Sequence, residues 1–356
     1  MKMTILLVLI LSISLYGKDY TQNKQTIDFI NIVSKKHNFK KSYLNELFSD
    51  VSLQKTALKL YGGLKKRPKK ETKAKKKYVW HGSWDRYVKH KVTPKRVQQG
   101  VSFLKKHETT FNKVEKIYGV PSEYIAAIIG IETIYGKNVG NFPVFDTLTT
   151  LAFEKNRRNK FFKEQLEEFI LLTFRDNIDP KSLKGSYAGA MGLGQFMPSS
   201  YTDYGVDFNK DGKVNMLHPQ DVIASIGNYL ERHGWETDEE VATRVSYQGK
   251  RFQKYKTGFR TKYNRKNLKG IKPKYGKWDY YDEVSLIKLS KKRYDELWYG
   301  AKNFYVITRY NNSSYYAMSI YQLAQKIKGE LYIQTNSLAS SQINSYTSQK
   351  NGDIVD

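Results

Sequence analysis

The stretch GVPSEYIAAIIGIETIYG, residues 119–136, predicts a helix at the centre of the fold. Gly119 suits the end of a preceding helix, and Pro121 is favoured in a first helical turn. The pattern therefore predicts a helix from about Pro121 to Tyr135. After its first turn this helix is apolar except for one charge, Glu132.

Glu132 lies on the apolar side of the predicted helix. Ile125, Ile128 and Ile129 form the buried stripe, and Glu132 is the next position on it, at i+7. A carboxyl group among apolar neighbours loses hydration, which raises its pKa and favours the protonated form near neutral pH. Such a group is suited to general acid catalysis. The alternative is a structural Glu paired with Lys or Arg.

A second motif, GSYAGAMGLGQFMPSSY at residues 185–201, is rich in small residues. Small residues let backbone segments approach closely, which would present Ser186 and Gln195 in a confined space. The alternative is a tight Gly-rich junction between helices. The spacing is not that of a phosphate-binding loop, and the chain contains neither H-E-x-x-H nor G-x-S-x-G.

Four segments together resemble the membrane-bound lytic murein transglycosylase B family, lysozyme-like enzymes that cut the glycan strands of peptidoglycan. They are IETIYG, GSYAGAMGLGQFMPSSY, NYLERHGW and YVITRYNNSSYYAMSIYQLA. The resemblance covers residues 80–328. It implies a mainly α fold, with a lysozyme-like helical core, an additional helical lobe and a small strand and loop subdomain.

By this resemblance Glu132 is the single catalytic acid and base. It would protonate the oxygen between N-acetylmuramic acid and N-acetylglucosamine and then deprotonate the muramoyl C6 hydroxyl, giving a 1,6-anhydro product without water. Most glycosidases instead use two carboxylates. The substrate-binding residues implied by the resemblance are Ser186, Gln195, Tyr229, Tyr310, Asn311, Tyr316, Arg157, Arg158 and Tyr87. The structural alternative for each tyrosine is a place in the core.

The loop DFNKDGKVNMLHPQD, residues 207–221, resembles a calcium-binding EF-hand loop. Its expected ligands are Asp207, Asn209, Asp211, Lys213 through its backbone carbonyl, and Asp221. Gly212 at position six suits the sharp turn. Position twelve is His218 where an EF-hand has Glu, and by the resemblance Asp221 closes the site instead. We expect a structural Ca²⁺ and no cofactor for catalysis, the alternative being an empty Asn/Asp turn.

The order of segments predicts the following organisation. Residues 1–17 have a basic start and an apolar core, as in a signal peptide or retained N-terminal anchor. Residues 18–79 form an N-terminal extension that ends in a basic linker at 65–78, a charged tether or a polyanion-binding run. The catalytic domain spans 80–328, with a strand and loop insertion at about 239–300. A polar tail, 329–356, is expected to be disordered.

The composition indicates a polyanionic partner. Lys and Arg outnumber Asp and Glu by 61 to 34, a net charge of +27. Because the export signal disfavours nucleic acid, we expect the partner to be peptidoglycan, with association with an inner or outer membrane surface and contacts with other cell-wall enzymes left open. The expected location is the periplasm. The absence of Cys excludes disulfides, a thiol nucleophile and a lipoprotein cysteine.

Two other functions are weighed against the transglycosylase. A lysozyme-type hydrolase would need a second carboxylate or a held water, and Asp146 is a candidate for the former. A non-catalytic peptidoglycan-binding or scaffolding module would use only the basic surface. The joint presence of Glu132, Ser186 and Gln195 favours an enzyme, because a binding module has no need of the acid.

Overall fold

A computed structural model describes residues 17–61 and 82–352. The signal-like segment, apart from Gly17, and the basic linker lie outside these ranges. As predicted, the described chain is mainly helical. Its helices are α1 (Lys24–His37), α2 (Lys41–Ser49), α3 (Lys55–Tyr61), α4 (Ser83–Val88), α5 (Pro94–Lys106), α6 (Glu108–Tyr118), α7 (Ser122–Thr133), α8 (Val144–Phe153), α9 (Asn159–Arg175), α10 (Pro198–Tyr204), α11 (Pro219–Arg232), α12 (Lys302–Tyr310) and α13 (Ser314–Gly352).

The strands form two antiparallel sheets. They are β1 (Phe142–Pro143), β2 (Lys184–Gly185), β3 (Ala242–Tyr247), β4 (Lys262–Tyr263), β5 (Ile271–Pro273), β6 (Val284–Ser290) and β7 (Asp295–Gly300). β1 pairs with β2, and the other five have the order β4-β6-β7-β3-β5. We call residues 242–300 the sheet lobe.

Contacts divide the chain into two compact units, and the first combines Met1–Lys69 with Asn141–Ala190. Aromatic packing holds its described part together. Phe29 of α1 lies edge-on to Phe48 of α2 and Phe153 of α8, with ring centroids 6.0 and 5.6 Å apart. The helices of the predicted N-terminal extension therefore pack against helices more than a hundred residues later in the sequence.

The second unit combines Lys70–Gly140 with Met191–Asp356, and α7 lies at its centre. Helices α5, α6, α11 and α13 contact α7. Every residue from Glu123 to Ile131 is buried. The isoleucine stripe predicted from sequence is thus one face of a helix that is covered all round, as expected for an apolar helix in a core.

The sheet lobe has its own apolar core within the second unit. Tyr299, Leu286 and Leu297 of the central strands pack with Trp278 and Tyr280 from the loop before β6. The large buried aromatic side chains compensate for the small number of residues in the lobe, since each covers a large apolar area.

The last helix continues through residues whose polar composition predicts disorder. α13 runs from Ser314 to Gly352. No proline follows Pro273, and none of residues 328–337 is buried. The polar composition of this segment agrees with the lack of fully buried side chains at 328–337, but it does not prevent helical backbone hydrogen bonding.

Candidate active site

The carboxyl group of Glu132, at the end of α7, contacts Tyr316 in the first turn of α13. The Tyr316 hydroxyl donates a hydrogen bond to Glu132 Oε1 at 2.7 Å. Tyr316 is only 2% exposed, whereas Glu132 is partly exposed. The acid therefore has one oxygen held by the protein and keeps access to solvent.

Burial raises the pKa of Glu132 above its ordinary value. The hydrogen bond from Tyr316 and the ammonium group of Lys91 favour the carboxylate and partly oppose this effect. Lys91 lies near the same helix end, where its Nζ donates to Ile131 O at 3.4 Å. The site thus favours the protonated acid more than water would and still stabilises the ion that forms when that proton leaves.

The turn after Glu132 has an unusual backbone. Ile134 and Tyr135 have φ angles of 54° and 56°, in the left-handed region, which is unfavourable for a β-branched residue. Helix α7 therefore ends at Thr133, two residues before the predicted end. The hydroxyl of Tyr135 donates to Arg96 O at 3.2 Å. This contact holds the turn and fixes the position of the acid.

Hydrogen bonds join the end of α7 to the second half of the motif at residues 185–201, which we call the Gly-rich motif. Thr133 Oγ1 donates to Leu193 O at 2.9 Å, and Leu193 N donates to Met216 O at 2.8 Å. Gly192 has φ 71°, and a Cβ there would lie 2.2 Å from Met216 O. Glycine at this position lets the motif approach the loop beyond α10.

Gln195 lies on this motif with a left-handed φ of 54°. Its Nε2 donates to Val139 O at 3.0 Å and to Gly192 O at 2.9 Å. No described residue donates a hydrogen bond to its Oε1. The amide nitrogen therefore supports the loop, while the predicted contact with substrate stays a prediction.

Tyr310 and Tyr229 form an aromatic wall next to Tyr316. The Tyr310 and Tyr316 rings are nearly parallel, with an interplanar angle of 7° and centroids 6.4 Å apart. Tyr229 packs edge-on against Tyr310 at 5.0 Å. Their hydroxyl groups donate to backbone, Tyr310 to Gly194 O at 2.5 Å and Tyr229 to Arg309 O at 2.7 Å. Of these three, only Tyr316 donates to Glu132.

Two further residues predicted to bind substrate, Tyr87 and Asn311, also lie in the second unit. Tyr87 packs with Trp84 and Tyr315, at 6.1 and 5.6 Å. Burial raises the pKa of Tyr87, and the negative charge of Glu132 adds to that shift. Asn311 is exposed at the end of α12. Tyr87 is therefore near enough for Glu132 to influence it electrostatically.

Ser186, Arg157 and Arg158 belong to the first unit. Ser186 Oγ accepts hydrogen bonds from the backbone N–H of Ala188 at 3.2 Å and of Ala190 at 3.0 Å, which closes a tight turn. The Arg158 guanidinium lies 4.0 Å from the Phe161 ring centroid. Arg157 is exposed. Substrate roles for these three residues stay predictions.

Sequence reasoning missed Lys91 and the pair Thr133 and Tyr135. Lys91 is one of many lysines, and only the fold brings it to Glu132. Thr133 and Tyr135 follow the acid within three residues. Two glycines, Gly100 and Gly130, are the sequence signal that could have indicated a close contact with Tyr135. A Cβ on Gly100 or Gly130 would lie 2.5 Å from the Tyr135 hydroxyl.

The loop 207–221 is folded by its own side chains. The Asp207 carboxylate accepts hydrogen bonds from the backbone N–H groups of Asp211 and Gly212, at 3.2 and 2.9 Å. Asn209 Oδ1 accepts a hydrogen bond from the backbone N–H of Asp211 at 3.1 Å. Gly212 has φ 88° and open space around it, as the sharp turn requires. The oxygens of Asp207, Asn209 and Asp211 are thus on one short turn, and they are of the kind that calcium prefers.

Asp221 holds the backbone of the loop, and its role as closing ligand stays a prediction. It is fully buried, and its carboxylate accepts backbone N–H groups of Phe208, Asn209 and Asn215 at 3.0, 3.3 and 2.9 Å. Over residues 17–61 and 82–352, no group of three or more His, Asp or Glu side chains is placed to hold a metal. The loop nevertheless has oxygens and a turn of the kind that calcium sites use, while calcium binding itself stays a prediction.

Comparison with known proteins identifies the class of enzyme. The membrane-bound lytic murein transglycosylase B of Escherichia coli (strain K12) is 39% identical over 313 residues, which is 87% of this chain and 84% of that protein. The family model for the transglycosylase SLT domain matches residues 22–325. The chain is an enzyme of the lytic transglycosylase class. It belongs to the transglycosylase SLT domain family, whose match begins well before the predicted domain start at residue 80.

Solved structures share the fold. The E. coli lytic transglycosylase SLT35 in complex with bulgecin A has a TM-score of 0.81 and 38% identity, covering 89% of this chain and 96% of that one. Its complex with calcium has a TM-score of 0.80 and 37% identity, with the same coverage. SltB3 from Pseudomonas aeruginosa, in complex with NAG-anhNAM-pentapeptide, has a TM-score of 0.72 and 25% identity. The match covers 88% of this chain and 80% of that one. The predicted lysozyme-like, mainly α class is confirmed.

Proposed function

We propose that the enzyme cleaves the β-1,4 bond between N-acetylmuramic acid and N-acetylglucosamine in peptidoglycan without water, with Glu132 as both acid and base. The observation that carries this proposal is the Glu132 carboxyl group, which is raised in pKa by burial and hydrogen-bonded by Tyr316 at 2.7 Å. Glu132 is also the acid that the family resemblance selects.

In the first step, protonated Glu132 donates its proton to the glycosidic oxygen as the bond from C1 to that oxygen breaks. The carboxylate left behind is stabilised by the Tyr316 hydroxyl and by the positive charge of Lys91. In the second step, the C6 hydroxyl of the muramoyl residue bonds to C1 and gives its proton to Glu132. The 1,6-anhydro ring forms, the acid is regenerated, and no water is consumed.

A single carboxyl group suffices for this route, whereas a hydrolase normally uses two. In the described part of the second unit, no other carboxylate hydrogen-bonds to Glu132 or contributes to its pKa shift. The alternative acid, Asp146, belongs to the first unit and is hydrogen-bonded by Ser52. The anhydro sugar in the SltB3 complex also supports the transglycosylase route.

The test is mass spectrometry of the products released from peptidoglycan by the wild type, by Glu132→Gln and by a matched control, Glu123→Gln. Glu123 lies on the same helix and pairs with Lys328 at 3.1 Å. Wild type and control should release muropeptides with 1,6-anhydromuramic acid, and Glu132→Gln should release none. Reducing ends in place of anhydro ends would mean a hydrolase, and no product from any of the three would favour a binding module.

We further propose an exported enzyme that binds calcium in the loop 207–221. Export is supported by the signal-like start of the chain and by a substrate that lies outside the cytoplasm. No helix in the described ranges is both long enough and apolar enough to span a membrane. Asp207, Asn209, Asp211 and Asp221, with the carbonyl of Lys213, would hold the ion, which would cross-link the loop between α10 and α11.

A further inference from the structure

The sheet lobe contains a long stretch without acids. Residues 241–278 include thirteen Lys and Arg and no Asp or Glu. This stretch supplies β3, β4 and β5. Since the net charge of the whole chain is +27, close to half of it is concentrated in these residues. The local potential should therefore attract anions to this lobe more strongly than to an average part of the surface.

A groove of about 940 Å³ lies on this stretch, beside the edge strand β5. β5 pairs with β3 on one side, and no described strand pairs with its other side. One acid, Asp279, lines the groove. Four exposed lysines that line it form no ion pair with any described residue: Lys266, Lys269, Lys272 and Lys277.

The floor of the groove is held by contacts within the lobe. Trp278 is 7% exposed there, and the Arg265 guanidinium lies 5.4 Å from its ring centroid. Arg265 Nη1 donates to Trp278 O at 3.0 Å and to Tyr280 O at 2.5 Å. Arg265 is thus committed to the fold, whereas the four lysines around it are available to a partner. Tyr281, 85% exposed, adds an aromatic face at the rim.

We propose that this groove binds the carboxylate-bearing peptide stems of peptidoglycan and so holds the enzyme on its polymer while Glu132 acts on the glycan. The proposal rests on the function proposed above. The groove fits a short peptide whose carboxylates pair with the lysines. The edge of β5 adds little backbone bonding, because Ile271 N donates to Leu268 O, Ile271 O accepts from the Tyr299 hydroxyl, and Pro273 has no N–H. A flat membrane surface would instead be met by a protruding patch. None of the groove residues takes part in the contacts of Glu132.

The test measures binding of the full-length, inactive Glu132→Gln protein to insoluble peptidoglycan. Lys266, Lys269, Lys272 and Lys277 are changed together to Gln. The matched control changes four exposed lysines outside the lobe, Lys95, Lys106, Lys113 and Lys116, so that the net charge is the same. Binding is compared on intact peptidoglycan, on chitin, which is an insoluble N-acetylglucosamine glycan without peptide stems or carboxylates, and on vesicles of equal parts phosphatidylglycerol and phosphatidylcholine.

The groove variant should bind intact peptidoglycan about tenfold more weakly than the control, because each exposed lysine-carboxylate pair contributes little and four act together. The two proteins should bind chitin equally. Equal binding to intact peptidoglycan would overturn the proposal, and a loss confined to the vesicles would assign the groove to membrane lipid. With Glu132 restored, the groove variant should still release anhydro products. Their absence from wild type would contradict the proposed function instead.

Discussion

Thr133 Oγ1 donates to Leu193 O at 2.9 Å and joins the residue after the candidate acid to the Gly-rich motif. Thr133 is fully buried, and its oxygen also accepts the N–H of Gly136 at 3.1 Å. One side chain thus connects the end of α7, the left-handed turn and the motif. The position of Glu132 relative to the motif depends on this contact.

Replacing Thr133 by Val should therefore impair both stability and catalysis. The substitution keeps the shape but leaves the Leu193 carbonyl without its donor, which costs about 1–3 kcal/mol for a buried polar group. Thermal unfolding should show that loss, and the rate of product release should fall at temperatures where the variant is still folded. Thr133→Ser keeps the hydroxyl and should recover the rate. Failure of Ser to do so would mean that the methyl group, not the hydrogen bond, matters.

Replacing Tyr316 by Phe should change the pH dependence of activity. The lost hydrogen bond stabilised the carboxylate form of Glu132, so the pKa of Glu132 should rise further above its ordinary value. The pH above which the protonated acid is lost should move upward, while the maximal rate falls by about tenfold because the ion formed in the first step is less stabilised.

Tyr310→Phe is the matched control for that measurement. Its hydroxyl is bonded to Gly194 O and not to Glu132, so this variant should lose stability without moving the pH profile. If both variants shift the profile equally, the effect of Tyr316 comes from packing of the aromatic wall.

The raised pKa of Glu132 also predicts how stability depends on pH. In the folded protein the carboxyl group ionises at a higher pH than in the unfolded chain, so folding is favoured below the unfolded pKa and loses that contribution as pH rises through the folded pKa. Gln cannot ionise. Glu132→Gln should therefore unfold at a higher temperature than wild type at neutral pH, and this difference should shrink as the pH falls toward 4. A difference that does not vary with pH would contradict the assignment.

Calcium should stabilise the fold through the loop 207–221. Because an ion that binds only the folded state raises its stability, chelation should lower the melting temperature, and added calcium should restore it. Asp207→Asn should remove most of this response. Asp203→Asn, at an exposed position on the preceding helix α10, should leave it intact. An identical melting curve with chelator and with calcium would mean that Asx turns alone hold the loop.

The sequence predicted the central helix and its acid because both are local patterns. Ile125, Ile128 and Ile129 lie within one helical turn and a half, and the position of Glu132 follows from their spacing. The early end of α7 was not predictable from propensity, since Ile134 is a poor candidate for a left-handed conformation. That conformation is held by Tyr135 and Arg96, a contact that exists only after α5 and α7 pack.

Contacts between residues that are far apart in sequence were the other feature that the sequence did not predict. Tyr316 was selected by resemblance, and its hydroxyl reaches Glu132 across 184 positions of sequence. Lys91 carries no local signal that separates it from other lysines. The N-terminal helices posed the same difficulty, because the rings that cover Phe29 include Phe153, and periodicity does not say which distant apolar face is the partner.

The close approach of the Tyr135 hydroxyl to both Gly100 and Gly130 links three positions on α5, on α7 and in the turn that follows. No side chain larger than hydrogen fits at either glycine while Tyr135 keeps its place. Substitutions at these positions should therefore not occur independently among relatives. A sequence with Ala at 130 should carry a smaller residue at 135, and one with Ala at 100 should also carry a smaller residue at 327, since a Cβ on Gly100 would lie 2.5 Å from Ile327 Cδ1 as well. These linked positions are a covariation signature that alignments of the family can reveal.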